Sequence, residues 1–236
     1  MKRHFAFAPD EYYHVYNRGI ERRVIFENEH DYKRFIVLLY LSNGTSAIDL
    51  NEYFSQEGRS FLELFMAHRG TQIVEIGAYC LMPNHFHLLL REKEDGGIST
   101  FMKKLGTAYS TYFNKKNTRV GSLFQGRFKA QHVDTDNYLK YLFSYIHLNP
   151  VKLIEPKWKE SGIFDLEKTK KYLNEYPYSS CADFFGKKRI EKVILNKKRF
   201  PEYFETKHDF EEFLNDWLTF DSEFDIRKPS GRRKKL

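Results

Sequence analysis

The chain has 236 residues, 41% of them hydrophobic and 30% charged, a balance that excludes a disordered or fibrous polymer and can support a sizeable core. Its formal net charge of +7 suits a polyanionic partner, and its 17% aromatic content supplies rings for a core or for stacking on unpaired bases. Two cysteines, Cys80 and Cys181, exclude a disulfide framework, and no apolar run reaches the length of a membrane span.

The start, Met1-Lys2-Arg3-His4-Phe5, lacks the apolar stretch of a signal peptide, so a cytoplasmic protein is expected. Tyr12-Tyr13-His14-Val15-Tyr16-Asn17-Arg18 alternates like a strand and ends at Gly19. Tyr32, Phe35, Ile36 and Leu39 then predict a helix over residues 29–41, closed by Ser42-Asn43-Gly44. Residues 45–70 read as an insertion in which Leu62, Leu64 and Phe65 suggest a short helix. A strand over residues 71–81 leads through a tight turn at Pro83-Asn84 into a second strand, His85-Phe86-His87-Leu88-Leu89-Leu90.

After Asp95-Gly96-Gly97 a helix is expected from about Ser99, with Phe101, Leu105, Ala108, Tyr109 and Tyr112 on one side. Gly121 opens a strand-like stretch through Phe124, Phe128 and Val133. Asp134-Thr135-Asp136 caps a helix from about Asn137 to His147, which Pro150 stops. This order predicts an α+β fold over residues 1–184, a ferredoxin/RRM-like antiparallel sheet with helices packed on one face. Residues 185–236 read as a basic, helical C-terminal extension ending in a disordered tail, Gly231-Arg232-Arg233-Lys234-Lys235-Leu236.

Side chains alternate across a strand, so His85 and His87 share one face and two imidazoles there can hold one divalent ion. Such a pair also occurs as ordinary core histidines. Further along, Tyr138, Tyr141, Tyr145 and Asn149 are spaced 3, 4 and 4, which puts them on one helix face. That row is either an amphipathic stripe or a set of functional groups. Its last pair sets a phenol one turn from a carboxamide, whose oxygen complements two imidazoles around Mg²⁺ or Mn²⁺.

Leu81-Met82-Pro83-Asn84-His85-Phe86-His87 together with Tyr145-Ile146-His147-Leu148-Asn149-Pro150-Val151-Lys152 resembles the single-tyrosine HUH transposases, and among them the REP-associated tyrosine transposases. His14-Val15-Tyr16-Asn17-Arg18-Gly19, Gly121-Ser122-Leu123-Phe124-Gln125-Gly126-Arg127-Phe128 and the Tyr176-Pro177-Tyr178-Ser179-Ser180 turn fit the same family, over about residues 12–182. The resemblance implies that His85, His87 and Asn149 bind a divalent metal, Mg²⁺ or Mn²⁺, and that Tyr145 is the nucleophile, with Tyr141 and Tyr138 as positional rivals. It implies cleavage and rejoining of single-stranded or hairpin DNA through a 5′-phosphotyrosine link, by a monomer or a homodimer. Basic residues available for DNA contact are Arg18, Arg22, Arg23, Lys103, Lys104, Lys115, Lys116, Arg119 and Arg127, each of which could equally be a solvated surface charge.

Three rival readings remain. A metal-dependent hydrolase would activate water instead of tyrosine, although Glu92, the nearby carboxylate, falls on the opposite strand face from His87. A catalytically retired DNA-binding protein would have little reason to keep all four residue types. An RNA-binding module could use the same kind of sheet.

Overall fold

The computed structural model describes residues 6–46, 50, 53 and 60–219. Parts of the expected 45–70 insertion and the whole expected disordered tail therefore lie outside the described residues. Four strands form one antiparallel sheet: β1 (Tyr12–Arg18), β2 (Val74–Met82), β3 (His85–Glu92) and β4 (Lys129–Val133), in the order β2-β3-β1-β4. The helices are α1 (Glu29–Leu41), α2 (Phe61–Leu64), α3 (Gly97–Lys116), α4 (Asp136–His147), α5 (Trp158–Ser161), α6 (Leu166–Glu175), α7 (Cys181–Phe184) and α8 (Lys207–Thr219). The strand order is that of the split βαβ motif, as expected for a ferredoxin-like sheet.

Local chemistry fixes the helix starts. The Asn28 side chain accepts from Asp31 N at the head of α1, and the Thr135 side chain accepts from Tyr138 N at the head of α4. Pro83-Asn84 forms the two-residue link between β2 and β3, whose carbonyls receive Gly19 N, Ile25 N and Phe26 N. A register shift between Ile76 and Ala78 inserts Gly77 into β2, and the faces of that strand switch there.

Helices on one face only, the sequence expectation, are corrected by the structure. Tyr13, Val15, Phe86 and Leu88 pack with Phe35, Phe101 and Tyr109 of α1 and α3, so these two helices do share a face. Ala78, Cys80, Met82 and Leu89 pack instead with Leu139, Leu142, Phe143 and Ile146 of α4 on the other. Helix α4 follows β4 and has no counterpart in the βαββαβ core, and its apolar stripe can be buried only on the face that α1 and α3 leave open.

The region after α7 lies against the same molecule. Phe200 joins the α4 side of the core, Ile194 joins the α1 side, and Phe210, Leu214 and Leu218 of α8 pack with Leu148, Val151 and Leu173. Cys80 and Cys181 are buried free thiols. Among the described residues no helix is long and apolar enough to cross a membrane.

Candidate active site

Because β3 begins immediately after the Pro83-Asn84 link, His85 is its first residue and His87 follows on the same face. In the β1–β3 register Tyr16 stands opposite His87 and His14 opposite Leu89, which brings His14 onto that face as well. His14 Nε2 and His87 Nδ1 share a 2.8 Å hydrogen bond, with the rings stacked 5.0 Å apart. His85 Nδ1 lies 2.6 Å from Asn84 Oδ1, and Asn84 Nδ2 donates to Arg22 O at 3.1 Å.

Helix α4 crosses above these imidazoles. The Tyr145 ring sits 5.4 Å from that of His87 and 5.6 Å from that of His14, edge-on to both. Tyr141 is 5.9 Å from Tyr145, and Tyr138 is a further 6.1 Å along. α4 ends at His147, and Asn149 opens a 3-10 turn, Asn149–Leu153, with Pro150 in its first positions. Asn149 Nδ2 donates to Tyr145 O at 2.7 Å, so the carboxamide stays in line with the helix face and keeps its oxygen as an acceptor. Lys159 of α5 places Nζ 5.2 Å from the Tyr145 ring centroid.

His14, His85, His87, Tyr138, Tyr141, Tyr145 and Asn149 line a cleft of about 610 Å³. Its rim carries Arg18, Arg22, Lys129 and Lys152, and among the described residues no carboxylate lines it. Burial drives the His14 imidazole down to about 3 and that of His85 to about 4, with Arg18 and Lys152 adding to the effect on His85. Burial also pushes His87 well below the usual range, helped by His14, His85 and the same two cations. All three rings are therefore neutral at physiological pH, the state in which imidazole ligates a metal. Tyr138 is raised to about 12 by burial and by its tyrosine neighbours.

The donor set fits a divalent ion. Both histidines engage Nδ1 with a protein group, so Nε2 is the nitrogen that each would offer a metal, and the Asn149 amide would add a hard oxygen. Among the described residues no three His, Cys, Asp or Glu side chains form a metal cluster.

Of the residues singled out by sequence, His85, His87, Tyr145, Asn149, Arg18 and Arg22 come together in the cleft, as do Tyr138 and Tyr141. Arg23 and Arg127 are exposed and do not line it. Lys103, Lys104, Lys115 and Lys116 belong to α3, across the sheet. There Lys104 donates to Gly44 O and Lys116 pairs with Glu27 and Asp31. Arg119, just past α3, binds Asn114 Oδ1 at 2.6 Å. Glu92 is buried and accepts from Ile98 N at 2.7 Å, away from the histidines. Sequence reasoning missed His14, Lys129 and Lys152 as cleft residues. The available signal for His14 was its place at the head of the His14-Val15-Tyr16-Asn17-Arg18-Gly19 stretch that fits the resemblance.

The family described as "Transposase IS200 like" matches residues 8–149, which include every proposed ligand and Tyr145. No curated protein matches the chain. Among solved structures, the chain is similar to a REP-associated tyrosine transposase bound to a REP hairpin, with 12% identity, 81% of this chain and 90% of that chain covered, and a TM-score of 0.46. It also matches tRNA(His) guanylyltransferase from Saccharomyces cerevisiae at 10% identity, with 86% of each chain covered and a TM-score of 0.33.

Proposed function

The chain belongs to the IS200-like transposase family, and we propose that it cleaves and rejoins single-stranded DNA beside a hairpin with Tyr145 as the nucleophile. The observation that carries this reading is the Tyr145 ring, held edge-on over His87 and His14 with Asn149 one turn further along. Tyr145 Oη forms a bond to the scissile phosphorus as the bond to the 3′-oxygen breaks. The phenol gives up its proton and the departing 3′-oxygen takes one, leaving a 5′-phosphotyrosine and a free 3′-hydroxyl. Attack by a second 3′-hydroxyl reverses these changes and rejoins strands, since the link conserves a phosphodiester.

His85, His87 and Asn149 would hold Mg²⁺ or Mn²⁺, which when bound supplies Lewis-acid polarisation of the phosphate. The Asn149 side chain also donates to the Tyr145 carbonyl, which holds the carboxamide one turn from the nucleophile. Arg18, Arg22, Lys129 and Lys152 ring the cleft where the DNA backbone would enter. Among the described residues no carboxylate lines the cleft, so a water-activating hydrolase here would draw its base from an imidazole such as His14 or rely on a metal-bound water.

The test uses a labelled single-stranded hairpin from the DNA flanking the protein's own gene, incubated with wild type and Tyr145→Phe, with and without Mn²⁺, and resolved on a denaturing gel. The expected result is a labelled band at protein mass that requires both the ion and Tyr145, the substitution lowering adduct formation by roughly 10³-fold or more. Cleavage without that band, persisting in Tyr145→Phe, would instead establish the hydrolase.

A further inference from the structure

We infer that His14 is a positioning residue: it accepts the Nδ1 proton of His87 and thereby turns the Nε2 lone pair of His87 toward the cleft. This assignment rests on the reading of His87 as a metal ligand. A neutral imidazole carries one proton and one lone pair, so a hydrogen bond between two neutral rings needs one of each. The 2.8 Å contact between His14 Nε2 and His87 Nδ1 can therefore exist in two forms. If His14 donates, the His87 proton sits on Nε2 and the ligating position is lost. If His87 donates, its Nε2 is free to bind and His14 carries its own proton on Nδ1.

His85 needs no such arbitration. Asn84 Nδ2 is committed to Arg22 O, which turns Asn84 Oδ1 toward His85, and an amide oxygen only accepts. His85 is thus held with its proton on Nδ1. Metal-binding histidines commonly donate their second nitrogen to a carboxylate or carbonyl. For His87 that place is taken by another imidazole, His14, which is 6% exposed and fixed on the neighbouring strand by the β1–β3 register. The tilted ring of Tyr16 at 4.9 Å and the edge of Tyr145 at 5.6 Å restrict the His14 ring from its other sides.

The test is a long-range ¹⁵N–¹H correlation spectrum of metal-free, histidine-labelled protein at neutral pH, paired with calorimetric titration of Mn²⁺. In wild type, His87 should show a pyrrole-type Nδ1 and a pyridine-type Nε2. His14→Phe, which removes the acceptor, should move the His87 proton toward Nε2 and weaken Mn²⁺ binding about 10- to 100-fold. His14→Gln, whose amide oxygen can accept, should restore most of both.

A wild-type His87 with its proton on Nε2 overturns the inference without recourse to any variant. Equal Mn²⁺ affinity and an unchanged tautomer in His14→Phe also overturn it, while leaving the metal-ligand reading intact. The expected tautomers without Mn²⁺ binding to wild type would support the role of His14 and defeat the metal reading instead.

Discussion

Lys116 illustrates how a basic residue that looks available for DNA is committed elsewhere. Its ammonium lies 2.7 Å from Asp31 Oδ2 and 3.0 Å from Glu27 Oε2, and Asp31 is fully buried at the start of α1. Burial opposes ionisation of Asp31, but hydrogen bonds from Lys116, Tyr112 and Glu27 N outweigh it and hold the carboxyl below its usual range. Lys116→Met should therefore cost about 1–3 kcal/mol of stability at pH 7, less than for a fully buried pair because Lys116 is partly exposed. DNA binding should be unchanged. Since the folded value for Asp31 is depressed, its contribution is complete above the unfolded value of about 3.9 and is lost as pH falls through the folded one. Urea unfolding at pH 7 and pH 3 should show the penalty of Lys116→Met shrinking at the lower pH. At this scale His85, His87, Tyr145 and Asn149 were legible because each motif fixes its own geometry, two residues along a strand or four along a helix. His14 was not, because alternation gives the parity of β1 but not which strand lies beside it.

The elements themselves were mostly readable from periodicity and punctuation. β1 and α1 fall where alternation and helical spacing put them, and the Pro83-Asn84 turn sits where expected. Between residues 121 and 133 only Lys129–Val133 is a strand; before it, Phe124 makes a single bridge to Gly19 and the remaining backbone turns. The placement of α4 on the second face was not legible, since an amphipathic helix declares that it must be covered but not by what. Helix α6, Leu166–Glu175, was also unforeseen: only Thr169 and Leu173 of it are buried, too few to mark a face. The bulge in β2 offers a test at this scale. A Cβ on Gly77 would lie 2.6 Å from Cε1 of Phe200, a ring that is only 7% exposed. Gly77→Ala should destabilise the protein by about 1–3 kcal/mol through displacement of Phe200, read as a lowered melting temperature. A combined Gly77→Ala, Phe200→Leu variant should recover part of that loss if the clash is the cause.

Across the whole molecule, charge and chemistry are layered. Cations stand at the rim of the cleft and neutral imidazoles at its floor. Affinity for single-stranded DNA should fall linearly with log salt, and Arg18→Ala or Lys129→Ala should each flatten that slope by about 0.7. Lys103→Ala and Lys115→Ala, on the far face, should leave it unaltered; binding titrations at several salt concentrations distinguish the two groups. The net charge of +7 indicated a polyanionic partner but could not say which side would meet it. The α4 seam carries one more consequence. The proposed ligands His85 and His87 stand on β3 and the nucleophile on α4, and the packing of Leu142, Phe143 and Ile146 against Ala78, Cys80 and Met82 holds that helix to the sheet. Catalytic competence is then a direct gauge of that seam. In a urea series, adduct formation should vanish together with the far-ultraviolet signal of the sheet if α4 melts with the core, and ahead of it if α4 lifts away as a unit of its own.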